Sequence, residues 1–429
     1  MFTSARYHEI RAFLDRIPII STHDHFDGET PRINDPVKFL LSNYYSADYK
    51  VALRGMRKRP TGSPSEVFRQ VYAKSRFTSY AKCIETVLRD IYGLDASMSD
   101  ENLAKLGQML EAKGDDYYDQ IIEKCRIKAS IVNLKAGAYD VTPFTNLIAG
   151  KKLPKAGCYY VIPISPYCEV ANYDEIILRS AGLGRTPVCL DDYLEAIDLF
   201  VDKCVKAGAI GFKDMTSYRR TIAYQNVTYA AAESVFNHMI SRPRDSFANE
   251  ERAVLCDYLA NHFFKLAARY DLPVQIHTGH MAGMYNDIRK ANAIHLLDTL
   301  ELHKDTRFDI FHANWPYMDD VLFIGKNYPN AVLNLCWTQA VDPVFSIEFI
   351  KRAIMTMPHA QIFAFGADTR QPEWIYAFLK IAKDNTAQAL AELVESNWMT
   401  VDEACGVALD MFYNNPNEFY GLGLEEANV

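Results

Sequence analysis

Two histidines one residue apart, His23 and His25, stand at the end of the apolar run Ile17-Pro18-Ile19-Ile20-Ser21-Thr22. The run reads as a buried strand. Side chains alternate across a strand, so both imidazoles share one face while Asp24 points the other way. Imidazoles one pleat apart on one face can reach a single metal ion. Buried without an ion, each would need hydrogen-bond partners. Four more residues able to do chemistry close later apolar runs. Lys213 ends Ile210-Gly211-Phe212-Lys213, His277 ends Val274-Gln275-Ile276-His277, His312 ends Asp309-Ile310-Phe311-His312, and Asp368 ends Phe365-Gly366-Ala367-Asp368. Each has an ordinary reading on its own. A lone His on an apolar strand is commonly a core residue, a strand-terminal Asp often caps a helix, and a strand-end Lys usually reaches solvent. Their recurrence at successive strand ends is harder to assign to chance.

The elements that would position them alternate between strand and helix. The candidate strands are Ile17–Phe26, Ile127–Leu134, Tyr159–Ser165, Ala209–Met215, Pro273–Thr278, Phe308–Ala313, Ala331–Trp337 and Ile362–Asp368. Helical periodicity follows most of them, as in Leu190–Ala207, Glu250–Tyr270, Asp287–Leu302 and Ser346–Thr356. Eight strands with intervening helices predict an α/β fold, a (β/α)8 TIM barrel. A doubly wound sheet is the rival, but no Gly-x-Gly-x-x-Gly follows a strand. Barrel enzymes draw their catalytic groups from the ring where strands hand over to loops, and the six residues all fall there.

In this order the residues resemble the amidohydrolase superfamily. Its pattern is His-x-His on the first strand, Lys on the fourth in many members, His on the fifth, His on the sixth and Asp on the eighth. The matching positions are His23 and His25, Lys213, His277, His312 and Asp368. The resemblance runs from Ile17 to the C-terminal helices. Gln275-Ile276-His277-Thr278-Gly279-His280 and Phe365-Gly366-Ala367-Asp368 are similar to the branch of metal-dependent hydrolases that includes the amidohydrolase-like domain fused to glutamine synthetase-like domains. The long segment after the first strand is similar to that of uronate isomerases, which belong to the same superfamily.

The resemblance implies metal ligands among His23, His25, Lys213, His277, His312 and Asp368. Such a donor set suits one or two Zn²⁺ ions, with Mn²⁺, Ni²⁺ or Fe²⁺ as options. A bound ion lowers the pKa of water towards ~7 and polarises a carbonyl. Asp368 would take the water's proton and pass it to a leaving group, and His312 would ligate a second ion or orient the substrate oxygen. Lys213 would be carboxylated and bridge two metals, as in the binuclear subfamilies, or stay an ammonium and bind an anionic group. Arg219, His280, Trp337 and Arg370 lie at or just beyond strand ends and are candidate substrate contacts, Arg219 through a bidentate pair with a carboxylate. Hydrolysis of a C–N or ester-like bond leads. Uronate-type isomerisation or nonoxidative decarboxylation on the same scaffold is the first rival, and a non-catalytic barrel module is the second.

Asp27–Cys125 is far longer than a plain barrel connection. Helical patterns at Glu66–Tyr92 and Glu101–Lys113 predict a helical insertion within a single domain, residues 1–429. It leaves the active-site end of the first strand and is expected to form a lid. From Lys50 to Arg89 it carries ten Lys/Arg against two Asp/Glu. That excess, which includes Arg54, Arg57, Lys58 and Arg59, predicts a small anionic substrate. The whole chain, 429 residues with net charge −8, argues against general nucleic-acid affinity. Nine scattered cysteines without a Cys-x-x-Cys pair fit a reducing cytoplasm. Met1–Ile20 reads as an amphipathic helix and a strand rather than a signal peptide. No apolar run approaches the ~18 residues of a membrane span. Homo-oligomerisation is left open.

Overall fold

The computed structural model describes residues 4–25, 32–133, 148–149, 157–181, 184, 186–243, 245 and 247–428. Phe26, Asp27 and Leu134, at the edges of expected elements, lie outside them.

Eight parallel strands run in the order of the sequence: β1 (Ile19–Asp24), β2 (Ile127–Val132), β3 (Cys158–Pro163), β4 (Ala209–Asp214), β5 (Val274–Ile276), β6 (Phe308–Ile310), β7 (Ala331–Asn334) and β8 (Ile362–Phe363). Main-chain bonds between the segment after β8 and β1 draw the ends together: Thr22 N to Phe365 O at 3.1 Å, Asp368 N to His23 O at 2.8 Å and His25 N to Thr369 O at 3.0 Å. The result is the (β/α)8 barrel. All six residues of β1 are buried, as a parallel strand covered on both faces requires.

Helix α1 (Ala5–Leu14) precedes β1, with Ser4 Oγ accepting from Tyr7 N as its cap. Between β1 and β2 stand α2 (Pro36–Leu40), α3 (Tyr45–Gly55), α4 (Pro64–Ser75), α5 (Ser79–Asp90), α6 (Asp100–Glu111) and α7 (Tyr117–Lys124). The expected helix Glu66–Tyr92 is two helices, because Thr78 turns extended and its hydroxyl caps α5. Around the rest of the barrel run α8 (Ser165–Cys168), α9 (Tyr173–Ser180), α10 (Leu190–Lys206), α11 (Tyr229–Ser241), α12 (Asn249–Arg269), α13 (Leu297–Leu302), α14 (Met318–Asn327), α15 (Thr338–Val341), α16 (Pro343–Thr356) and α17 (Pro372–Glu395). Helices α18 (Val401–Leu409) and α19 (Asn415–Tyr420) close the chain. No helix among the described residues is long and apolar enough to cross a membrane, and they form no disulfide.

The inserted helices are moored to α17, which leaves the strand beside β1. Phe39 stacks on Trp374 at 5.1 Å, and Trp374 Nε1 donates to Ser42 Oγ at 2.9 Å. The buried Glu373 accepts from Tyr92 Oη at 2.6 Å and pairs with Lys113, whose ammonium lies among the rings of Phe39, Tyr92 and Tyr117. A carboxylate left buried and unpaired would cost several kcal/mol, so this pair fixes where the insertion sits.

Candidate active site

The hydrogen bonds that close β8 on β1 also place Asp368 beside the two histidines of the first strand. Its Oδ1 lies 2.8 Å from His25 Nε2 and 3.8 Å from His23 Nε2, and Oδ2 lies 3.9 Å from His312 Nε2. Burial alone would raise the Asp368 carboxyl. The hydrogen bond from His25, together with His25, His23 and His312 nearby, outweighs it and holds the group well below the usual carboxylate range. Asp368, His312 and Trp337 all adopt left-handed backbone, with φ of 52°, 60° and 62°. Non-glycine residues rarely do so, at a cost of order 1–3 kcal/mol each. Three such residues at the ends of β6, β7 and β8 aim their side chains at one point. Gly366 makes the approach feasible, because a Cβ there would lie 2.7 Å from Thr22 Oγ1 and 2.8 Å from Cys336 Sγ.

The hydrogen bonds fix the histidine tautomers. His277 Nε2 donates to the His280 carbonyl at 2.8 Å, and His312 Nδ1 donates to the Cys336 carbonyl at 2.9 Å. Carbonyls only accept, so the remaining nitrogens, His277 Nδ1 and His312 Nε2, carry lone pairs, yet they face each other at 3.1 Å. His23 Nδ1 donates to Gln275 Oε1 at 3.0 Å, which leaves its Nε2 bare towards Asp368. Burial depresses all three imidazoles: His23 and His277 fall well below the usual range and His312 to about 4. They are therefore neutral at pH 7. Neutral lone pairs crowded round a carboxylate repel unless a cation sits among them. Two ligands at 2.0–2.1 Å on a tetrahedral zinc are about 3.3 Å apart, near the observed 3.1 Å. The donor set fits a divalent ion. Two clusters of buried or half-buried donor atoms, each within 4.8 Å, share Asp368: His23–His25–Asp368 and His312–Cys336–Asp368. Cys336 was not expected from the sequence.

Lys213 is buried at the end of β4. Its Nζ has no hydrogen-bond partner among the described residues and sits 3.8 Å from the Phe311 ring centre. Burial lowers its pKa to about 8. The ring of Trp337 lies 5.3 Å from His312, 4.6 Å from His280 and 4.1 Å from Tyr44. His280 is lowered to about 4 by burial.

A pocket of about 470 Å³ opens from this cluster. One wall is the insertion, with Ser42, Asn43, Ser46, Ala47 and Lys50, and the other is Ala282, Gly283 and Met284 after β5. His25, Asp368 and Arg370 line it too, and Asp368 is the sole acid in the lining among the described residues. Lys50 and Arg370 have no ion-pair partner there. The charged run is not all at the pocket: Lys50 faces it, Arg54 donates to Tyr285 Oη at 3.2 Å, Arg59 donates to the Leu53 carbonyl, and Arg57 and Lys58 are exposed. Arg69, Lys82 and Arg89 pair with Asp100, Glu85 and Asp90.

The turn after β4 places its residues differently from the sequence reading. Arg219 does not line this pocket, and its carbonyl accepts from Lys290 Nζ. Arg220 is tied to Glu169 and Asp257 at 2.7 and 2.6 Å. Tyr218 is the residue that enters the cluster, 4.8 Å ring to ring from His277, its hydroxyl accepting from Ala282 N. Sequence reading also missed Tyr44, which donates to the Asp368 carbonyl at 2.6 Å. An aromatic just before an inserted helix carries no spacing signal that would reveal this.

No protein-family model matches the chain. Protein fluG of Emericella nidulans is 23% identical over 236 residues, 52% of this chain, and the chain spans 27% of that relative's length. The barrel superposes on a uronate isomerase from Thermotoga maritima with a TM-score of 0.79 and 12% identity, covering 98% of both chains. A protein from Lactobacillus casei ATCC 334, provisionally described as a metal-dependent hydrolase, gives 0.66 and 16%, covering 96% of this chain and 97% of its own. At these identities the likeness is one of fold. It is the (β/α)8 barrel that the order of the strands predicts.

Proposed function

We propose that the protein is a metal-dependent hydrolase that cleaves a C–N or ester-like bond of a small anionic molecule. One observation carries this: neutral, lone-pair-bearing nitrogens of His23 and His312 flank an ionised Asp368, and that of His277 faces His312, beside a pocket whose wall holds two cations without an ion-pair partner among the described residues. His23, His25, His312 and Asp368 would hold the ion, with His277 facing His312 and Lys213 beside them. When bound, such an ion polarises a substrate carbonyl and acidifies water. Asp368, kept ionised, accepts a proton from water and returns it to the leaving atom. Neutral His280 offers a hydrogen bond to the substrate, Trp337 and Tyr44 exclude water from one side, and Arg370 and Lys50 hold the anionic group. The insertion acts as the lid. Nine cysteines without a disulfide among the described residues support a reducing, cytoplasmic setting.

A second reading, uronate-type isomerisation, is favoured by the overlay on the Thermotoga maritima uronate isomerase, which covers 98% of this chain, its inserted helices included. Isotopes separate the two. The metal-loaded protein is offered N-acyl amino acids, lactones and uronates in ¹⁸O-water and deuterium oxide. Hydrolysis places one solvent oxygen in a product and splits the substrate. Isomerisation conserves the carbon skeleton and mass apart from exchanged hydrogen. Turnover without either signature, or none with any of the panel, would count against both.

A further inference from the structure

Beneath the histidines the barrel interior holds a layer of polar side chains where aliphatic packing would be the ordinary choice. Thr22, Gln275, Asp309 and Asn334, from β1, β5, β6 and β7, are fully buried, and Tyr420 from α19 reaches in from the opposite end. Burying so many polar groups is tolerable only if they satisfy one another. Their bonds run in one direction. Tyr420 Oη donates to Asp309 Oδ2 at 2.5 Å, and burial holds the phenol well above its usual pKa, so it keeps its proton. Asn334 Nδ2 donates to the same carboxylate at 2.9 Å and to Thr22 Oγ1 at 3.0 Å. Gln275 Nε2 donates to Tyr420 Oη at 2.8 Å and to the Thr22 carbonyl at 3.0 Å. Both amide hydrogens of Gln275 are thereby used, one on an oxygen that only accepts and one on a hydroxyl whose own hydrogen is committed to Asp309. Its Oε1 must face His23 and can only accept there.

We infer that Gln275, oriented by Tyr420 and Asp309, is a positioning residue that holds His23 in the tautomer with hydrogen on Nδ1 and so keeps Nε2 free to bind a metal ion. The inference rests on the reading of His23 as a metal ligand. It places control of a ligand at the upper rim in a carboxylate and a C-terminal phenol on the far side of the barrel. Flipping the Gln275 amide would set NH₂ against the Nδ1 hydrogen and an oxygen against the Thr22 carbonyl. Both contacts are repulsive, so the network has one low-energy orientation.

The test uses the full chain labelled with ¹⁵N-histidine, with the His23 signals identified by their loss in His23→Gln. The metal-free wild type should show His23 protonated on Nδ1 and bare on Nε2. Gln275→Met should lose that preference and weaken zinc binding, measured by chelator competition, about 10- to 100-fold. Gln275→Glu keeps an acceptor facing Nδ1–H and, with its carboxyl protonated on the oxygen that meets the Thr22 carbonyl, should retain the tautomer with affinity within about threefold of wild type. Packing alone would make the Met and Glu variants alike. If Gln275→Met does not fold, Tyr420→Phe carries the test by removing one oxygen from the far end, and it should loosen the His23 tautomer and lower zinc affinity several-fold. Unchanged tautomer and affinity in Gln275→Met or Tyr420→Phe, or equal losses in the Met and Glu variants, would overturn the inference. A wild type with His23 protonated on Nδ1 that binds no zinc supports the positioning role while refuting the metal reading. Zinc binding by a wild type whose His23 carries hydrogen on Nε2 when metal-free does the reverse.

Discussion

Arg370→Gln should cripple capture of an anionic substrate more than any other change in the pocket wall. Arg370 is half-buried, two residues from Asp368, and its guanidinium can grip a carboxylate with two parallel bonds. A hydrogen bond to a charged partner contributes about 1.5–3 kcal/mol, which is roughly a 10- to 150-fold fall in kcat/KM. Lys50 is exposed, so solvent screens it, and Lys50→Gln should cost about two- to fivefold. The exposed Arg57, Lys58 and Arg59 act at a distance. Converting all three to Gln should lower kcat/KM about twofold at low salt, with the difference fading as the Debye length shrinks below about 8 Å. The assay compares an N-acyl amino acid with its uncharged carboxamide, as kcat/KM where turnover occurs and as calorimetric Kd where it does not, at low and high ionic strength. This role of Arg370 is refuted if Arg370→Gln leaves the preference for the acid over the carboxamide unchanged. It is equally refuted if the triple variant loses as much as Arg370→Gln.

Two further outcomes follow from buried groups. Tyr44→Phe removes the bond to the Asp368 carbonyl and should lower stability by about 0.5–1.5 kcal/mol and raise KM, read by urea unfolding and steady-state kinetics, whereas an unchanged KM would detach the insertion from the site. Burial lifts Asp309 to about 7 against an ordinary 3.8, so between those values the folded protein holds a proton that the unfolded chain releases. Stability should therefore fall as pH rises from about 4 to 7, by up to about 4 kcal/mol. Tm of the metal-free Asp309→Asn protein should fall less over that range, and an identical pH slope in both proteins would contradict it.

The eight strands were legible because parallel strands buried on both faces are short apolar runs, and the chemistry sits at their ends. The helices were legible where periodicity was unbroken, as in α10 and α12. Asp287–Leu302 was not, because Asn292 is extended and its side chain accepts from Ile294 N, splitting the segment into 3-10 turns at Ile288–Ala291 and Ala293–Leu296 before α13. Within the site, His23, His25, His312 and Asp368 were found by position along strands, which is a local property. Tyr218, Tyr44 and Tyr420 were not, because their places depend on which loop or helix end folds back over the barrel, and Gln275 on β5 and Cys336 just past β7 were not, because their part depends on partners from other strands. Arg219 does not line the pocket, and Tyr218, one residue earlier, is the one that reaches His277: in a three-residue turn neighbouring side chains diverge, and Glu169 and Asp257 hold Arg220.

The central claim is that these side chains hold a divalent ion. An anomalous-scattering map of crystals of the zinc-loaded protein tests it most directly. The account predicts a peak at about 2.0–2.2 Å from His23 Nε2 and an Asp368 oxygen, with His25 or His312 completing the shell. A map with no peak among these residues at saturating zinc, or with the ion bound elsewhere, would contradict it.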